Sequence, residues 1–155
     1  MPARLLLLGE APGVVEDTYG DPFLGEAGQT LNEVITRSRV QSLFISNILA
    51  CIPRGIGIQN FREPTRDEAQ TCAPRILELI AIVQPKGLVL LGKVAKRFSP
   101  RVRGLKKLQL PHPSWINRLD ESGECEYQIE RCAEALRDFD QSLNKETNHE
   151  SQRLR

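Results

Sequence analysis

The chain has 155 residues, 40% of them hydrophobic and 26% charged, with a formal net charge of +1. That is the composition of an ordinary soluble globular protein, and the length is that of a single domain with one core. No apolar run approaches the ~20 residues that span a bilayer, and Leu5–Leu8 is far too short for the core of a signal peptide. A cytoplasmic protein without a membrane partner is expected.

Four consecutive leucines, Leu5–Leu8, end at Gly9. The run predicts a strand buried on both faces, as in a parallel sheet under helices. Gly9, Pro12 and Gly13 then turn the chain sharply, which holds Glu10 just beyond the strand tip. Open α/β sheets bind their ligands at that edge, so Glu10 is a candidate catalytic carboxylate; its plainer role is a solvated turn residue.

A long loop to Glu26 follows, and then a helix over Ala27–Ser38 with Leu31, Val34 and Ile35 on one face. Leu43–Leu49 reads as a second buried strand, and Cys51–Pro64 as an irregular loop. Thr65 with Glu68 three residues on is a capping box, opening a helix to about Val83 that Pro74 is expected to kink. Gly87–Leu91 is the third strand, Lys93–Phe98 a short basic helix and Lys106–Leu110 a fourth strand. Pro111–Trp115 reads as a stiff loop, and Glu124–Leu143 as a final amphipathic helix. The alternation predicts an α/β fold, a three-layer α/β/α sandwich on a four-stranded parallel sheet, as one domain over residues 1–143. Asn144–Arg155, nearly devoid of apolar residues, is expected to be a disordered polar tail.

Charge is unevenly spread. Seven basic residues and no acidic one lie between Lys93 and Lys107, whereas eight acidic residues face two basic ones between Asp120 and Asp140. Such a dipolar layout suits a protein that sets one face on a polyanion, although a basic run is also an ordinary solvated face. The four cysteines, Cys51, Cys72, Cys125 and Cys132, contain no Cys-x-x-Cys pair and lack zinc-site spacing. In a cytosolic chain they are not expected to form structural disulfides.

Three strand ends point at one sheet edge, bringing Glu10, Asn47 and His112 together, with Phe23 in the long loop above. A carboxylate, an amide, an imidazole and an aromatic ring suit the holding and detaching of a flat heterocycle. Taken singly, Asn47 could cap its strand, Phe23 pack its loop and His112 be a satisfied loop histidine.

Four stretches in this order carry a resemblance: Gly-Glu-Ala-Pro-Gly-Val-Val-Glu-Asp (9–17), Gly-Asp-Pro-Phe-Leu-Gly-Glu-Ala-Gly (20–28), Ile-Ser-Asn-Ile-Leu-Ala-Cys (45–51) and His-Pro-Ser-Trp-Ile-Asn-Arg (112–118). They resemble motifs of the uracil-DNA glycosylase superfamily, nearest its family 4, the iron–sulfur enzymes. The resemblance implies a monomeric enzyme that flips uracil out of uracil-containing DNA and hydrolyses its glycosidic bond, initiating base excision repair. It implies that Phe23 stacks on the flipped ring, Asn47 pairs with its edge, and His112 donates to O2 of the departing base. Glu10 and the adjacent backbone at Ala11 would place the attacking water, and Glu16 would sit against C5 and exclude the thymine methyl. Ser114, Trp115 and Arg118 would meet DNA in the minor groove, with Trp115 or Ile116 as a wedge, while the basic segment 93–107 tracks the backbone.

Family 4 holds a four-iron cluster with four cysteines. Cys51 and Cys72 match the last two, and the upstream Cys-x-x-Cys has no counterpart here. Cys125 and Cys132, about 10.5 Å apart along a helix, are not expected to substitute. No cofactor is therefore expected, with a cluster on Cys51 and Cys72 as the alternative. A module of the same descent that binds DNA or a protein without cutting is the competing function. An unrelated nucleotide-binding protein is disfavoured, since Gly9–Gly13 is neither a GxGxxG nor a Walker loop.

Overall fold

A computed structural model describes residues 2–55, 62–119 and 123–153, with side chains to Lys145. Part of the loop expected over Cys51–Pro64 thus lies outside the described residues. The first strand, β1 (Leu5–Gly9), is buried along its whole length. Its side chains alternate between two cores, because successive residues of a strand face opposite sides. Leu5 and Leu7 pack with Leu31, Val34 and Leu136, whereas Leu6 and Leu8 pack with Ile48, Ile76 and Ala95.

The remaining elements follow in order: α1 (Val14–Tyr19), α2 (Glu26–Ser38), β2 (Leu43–Asn47), α3 (Arg66–Val83), β3 (Gly87–Leu91), α4 (Gly92–Phe98), β4 (Lys106–Leu110), α5 (Pro113–Ile116) and α6 (Glu124–Arg153). The strands form one sheet in the order β2-β1-β3-β4, every pair parallel. Helices α2 and α6 cover the Leu5/Leu7 face, and α3 and α4 the other. This is the α/β/α sandwich that the sequence predicts. The chain leaves β1 toward one face and β3 toward the other, so the crevice between their carboxyl ends is the switch point where such folds bind ligands.

Helix α3 starts on the expected capping box. Glu68 N–H donates to Thr65 Oγ1 at 3.2 Å, and Thr65 N–H donates to Glu68 Oε2 at 2.8 Å. The helix is continuous through Pro74 to Val83.

Four segments differ from the sequence reading, the least of them β2, which ends at Asn47 rather than Leu49. The long loop after β1 contains α1, a helix with no buried residue and hence no apolar stripe to betray it. The stiff loop after β4 contains α5, in which Pro113 takes the first turn, where its missing N–H costs nothing. Helix α6 continues to Arg153 instead of ending at Leu143. No Gly or Pro interrupts the sequence after Gly123, so nothing local stops the helix where its apolar stripe runs out.

Candidate active site

Gly9 ends β1, and its missing side chain makes room for the site. A Cβ there would lie 2.6 Å from Phe23 Cζ and would also collide with Asn47 Oδ1. The Phe23 ring and the Asn47 amide therefore both close on the tip of β1. Asn47 ends β2 and is only 7% exposed. Its strand stays latched to β1 past the sheet: Ile48 N–H donates to Gly9 O at 2.9 Å and Leu49 N–H to Glu10 O at 3.0 Å.

Phe23 is held in a left-handed conformation, φ 60°. That is uncommon for a bulky side chain and persists only where the surroundings impose it. Here Glu16 does so from α1: its Oε1 accepts the backbone N–H of Leu24 and of Gly25, each at 3.0 Å. Burial pushes the Glu16 carboxyl up, but these N–H donors and those at the start of α1 outweigh it, and it sits below its ordinary range. On the other side Gly28 lets α2 pass directly against the Phe23 carbonyl, which a Cβ would strike.

His112 follows β4 and caps α5. Ser114 N–H donates to His112 Nδ1 at 3.2 Å, and Ser114 Oγ lies 2.7 Å from the same nitrogen. A backbone N–H can only donate, so Nδ1 is the acceptor and the ring proton resides on Nε2. Burial, with a smaller contribution from Arg118, holds the imidazole below its ordinary pKa and hence neutral. Its ring centroid is 6.1 Å from that of Phe23. Gly92, at φ 92°, lets β3 turn into α4 against His112; a Cβ would lie 3.0 Å from that of the histidine. Thr30 Oγ1 donates to Asn117 Oδ1, tying the end of α5 to α2.

Two cavities meet here. The first, of about 360 Å³, is walled by Phe23, Asn47, His112, Glu16, Ala11 and Arg62 among others. The second, of about 600 Å³, is walled by Glu10, Glu63, Lys93, Ser114, Trp115 and Arg118. His112 belongs to both. Phe23, Asn47 and His112 thus converge as the sequence reading expects, but Glu10 does not share their cavity. It faces the adjoining one, because consecutive residues of the turn, Glu10 and Ala11, diverge. Burial raises the Glu10 carboxyl pKa, Glu63 raises it further, and Arg97 opposes. Trp115 is 41% exposed, whereas Ile116 is 1% exposed and packed in the core, so Ile116 is not free to act as a wedge. Arg62 and Glu63 are lining residues that the sequence reading did not single out.

Residues 2–137 match the model of the Uracil DNA glycosylase superfamily. This chain belongs to that superfamily. Among glycosylases of known function, the type-4 uracil-DNA glycosylase of Pyrobaculum aerophilum is 34% identical over 112 residues, covering 71% of this chain and 55% of that protein. Those of Archaeoglobus fulgidus and Saccharolobus solfataricus are 35% and 31% identical, covering 62% and 73% of this chain and 47% and 54% of their own lengths. The chain spans about half the length of the curated relatives it matches.

The four cysteines lie on both sides of the sheet. Cys51 is exposed after β2, and Cys72, on α3, packs partly against the Leu6/Leu8 core. Cys125 and Cys132 pack in the Leu5/Leu7 core, with the sheet between them and Cys72. Iron–sulfur clusters are held by four thiolates. The described residues offer at most the pair Cys51 and Cys72, and no group of three or more potential metal ligands occurs among them. The described residues therefore do not by themselves fit the cluster. Among them, no helix is long and apolar enough to cross a membrane.

Proposed function

We propose that this glycosylase-superfamily chain excises uracil from DNA by hydrolysing the N-glycosidic bond of a flipped nucleotide. The observation that carries this reading is the junction of two cavities at a neutral His112. One cavity offers an aromatic wall and an amide to a planar base. The other offers two carboxylates, two cations and an exposed indole to the sugar and backbone.

In this reading the uracil ring lies on Phe23, and Asn47 donates its amide N–H to O4 while its Oδ1 accepts N3–H. Cytosine presents the reverse pattern and would leave the buried Asn47 unpaired, which is a strong source of discrimination. As the C1′–N1 bond breaks, its electron pair moves onto the base, and His112 Nε2–H donates to the charge developing at O2. One such donor in a water-excluded site is worth ~3–4 kcal/mol. Glu10 orients a water toward C1′ and favours the cationic sugar; the water oxygen bonds to C1′ and its proton leaves to the carboxylate. Glu16, rigidly held by two N–H groups, stands where a thymine methyl would intrude. Trp115 fills the gap left in the duplex, and Arg118 with Lys93 takes the phosphates.

The test is release of uracil from a labelled oligonucleotide, read as an abasic product on a gel. Abasic product from the unmutated chain, lost in Glu10→Ala, Asn47→Ala and His112→Ala, supports the reading. Binding of the same DNA without abasic product would overturn it in favour of a non-cutting module.

A further inference from the structure

The two cavities share three boundaries. His112 lines both; the end of β1 gives Ala11 to one and Glu10 to the other; and the segment before α3 gives Arg62 to the base-side cavity and Glu63 to the sugar-side one. The first two boundaries belong to the reaction described above. The third does not.

The segment Arg62–Pro64 is built as a strap. Pro64 is buried and anchors it. The Arg62 guanidinium donates to both carboxylate oxygens of Glu68, at 2.8 and 2.7 Å, and to the Glu63 carbonyl at 3.1 Å. Those bonds and the Thr65 N–H hold the Glu68 carboxyl down to about 2, so the anchor remains charged across any ordinary pH. On the other side Arg97, from α4, donates to Glu63 Oε2 at 3.0 Å. Adjacent residues of one strap are thus tied to two different helices, and their side chains serve two different compartments.

We propose that Glu63, steered by Arg97, is a positioning residue for Glu10: it stands in the same cavity as a second carboxylate and governs how Glu10 meets water. The inference rests on the uracil-excision reading for its catalytic consequence, but not for the placing of Glu63 and Glu10 in one cavity. The titratable and charged groups around Glu10 are Glu63 on the strap, Arg97 and Lys93 on α4, and the neutral His112 with Arg118 around α5. Of these, Glu63 and Arg97 act on Glu10 in opposite senses, Glu63 favouring its protonated form and Arg97 its carboxylate. A carboxylate that keeps some affinity for a proton is a better acceptor from an attacking water than one fully neutralised by a cation.

Glu63→Gln and Arg97→Gln separate these effects in the 155-residue chain, since both side chains are more than half exposed. The Glu10 titration is followed by its carboxyl carbon in NMR without DNA, and the acid limb of kcat on a uracil oligonucleotide is measured alongside. Glu63→Gln is expected to move the Glu10 midpoint and the acid limb to lower pH. Arg97→Gln is expected to move both to higher pH, with Arg97→Lys restoring most of the original position. Arg97 lies in the basic segment set along the DNA backbone, so KM is expected to rise in Arg97→Gln, and the midpoint and the acid limb of kcat, not KM, carry the comparison. A purely structural strap would change kcat and thermal stability in both variants without opposite shifts. Unmoved Glu10 midpoints overturn the role of Glu63 whether or not the chain is active. Absence of uracil release from the unmutated chain overturns the excision reading instead.

Discussion

Ser114 N–H meets His112 Nδ1 at 3.2 Å, and this contact decides which nitrogen of the ring carries hydrogen toward the cavity. The donor is a backbone amide, so substitution of the Ser114 side chain leaves it in place. In ¹⁵N spectra His112 is expected to show an unprotonated Nδ1 and a protonated Nε2 at neutral pH, in Ser114→Ala as in the parent. Its titration midpoint should fall below 6.5, because burial and then Arg118 both disfavour the imidazolium. His112→Ala should lower uracil release by ~10²–10³-fold, the usual loss for one such donor.

Glu10 sets chemistry against stability. Its folded-state pKa is raised above 4.5, chiefly by burial. Between 4.5 and that raised value the folded chain binds more protons than the unfolded one, so stability falls as pH rises through the window. Above the raised value the penalty is fully present. Glu10→Gln is therefore expected to raise the urea midpoint at pH 7, to change it little below pH 4.5, and to abolish uracil release. A lowered midpoint at pH 7 would contradict this account.

Gly9→Ala tests the tip of β1. The added methyl would press on the Phe23 ring and the Asn47 amide together. Displacements on the scale of 1 Å cost up to ~10² in rate, and kcat/KM should fall accordingly. Gly104→Ala is the control: its φ of 78° strains alanine, but nothing lies within 4 Å of the new methyl. It should cost ~1–2 kcal/mol of stability and leave activity intact.

The sheet was legible because β1 and β3 are short apolar runs closed by turn residues, and because the more polar β4, with Leu108 and Leu110 on alternate positions, is bounded by Gly104 and Pro111. Leu5–Gly9, Gly87–Leu91 and Lys106–Leu110 fall where the sequence places them. Thr65 and Glu68 announced α3 through a purely local bond pair. The site was legible as a set of residue types, but its division was not. Whether Glu10 and Ala11 face one cavity or two depends on the backbone path between Gly9 and Gly13, which spacing does not encode. Arg62 and Glu63 stayed hidden for a related reason. Their ion pairs reach Glu68 and Arg97, and only the folded chain brings Glu63 and Arg97 together across 34 positions.

The capping box offers a milder perturbation. Thr65→Ala removes the acceptor for Glu68 N–H and should cost ~1 kcal/mol of stability. Glu68→Gln should loosen Arg62 as well, seen as faster hydrogen exchange at the Thr65 amide.

Because Leu5–Leu8 feed alternate cores and end on Glu10, insertion or deletion of one residue within them would exchange the leucine pairs across the sheet and swing the carboxylate away in the same event. Descendants of this chain therefore have no route by which β1 drifts while function lingers. Change in length falls instead to connections such as the turn at Gly104, where even an added Cβ would meet nothing within 4 Å.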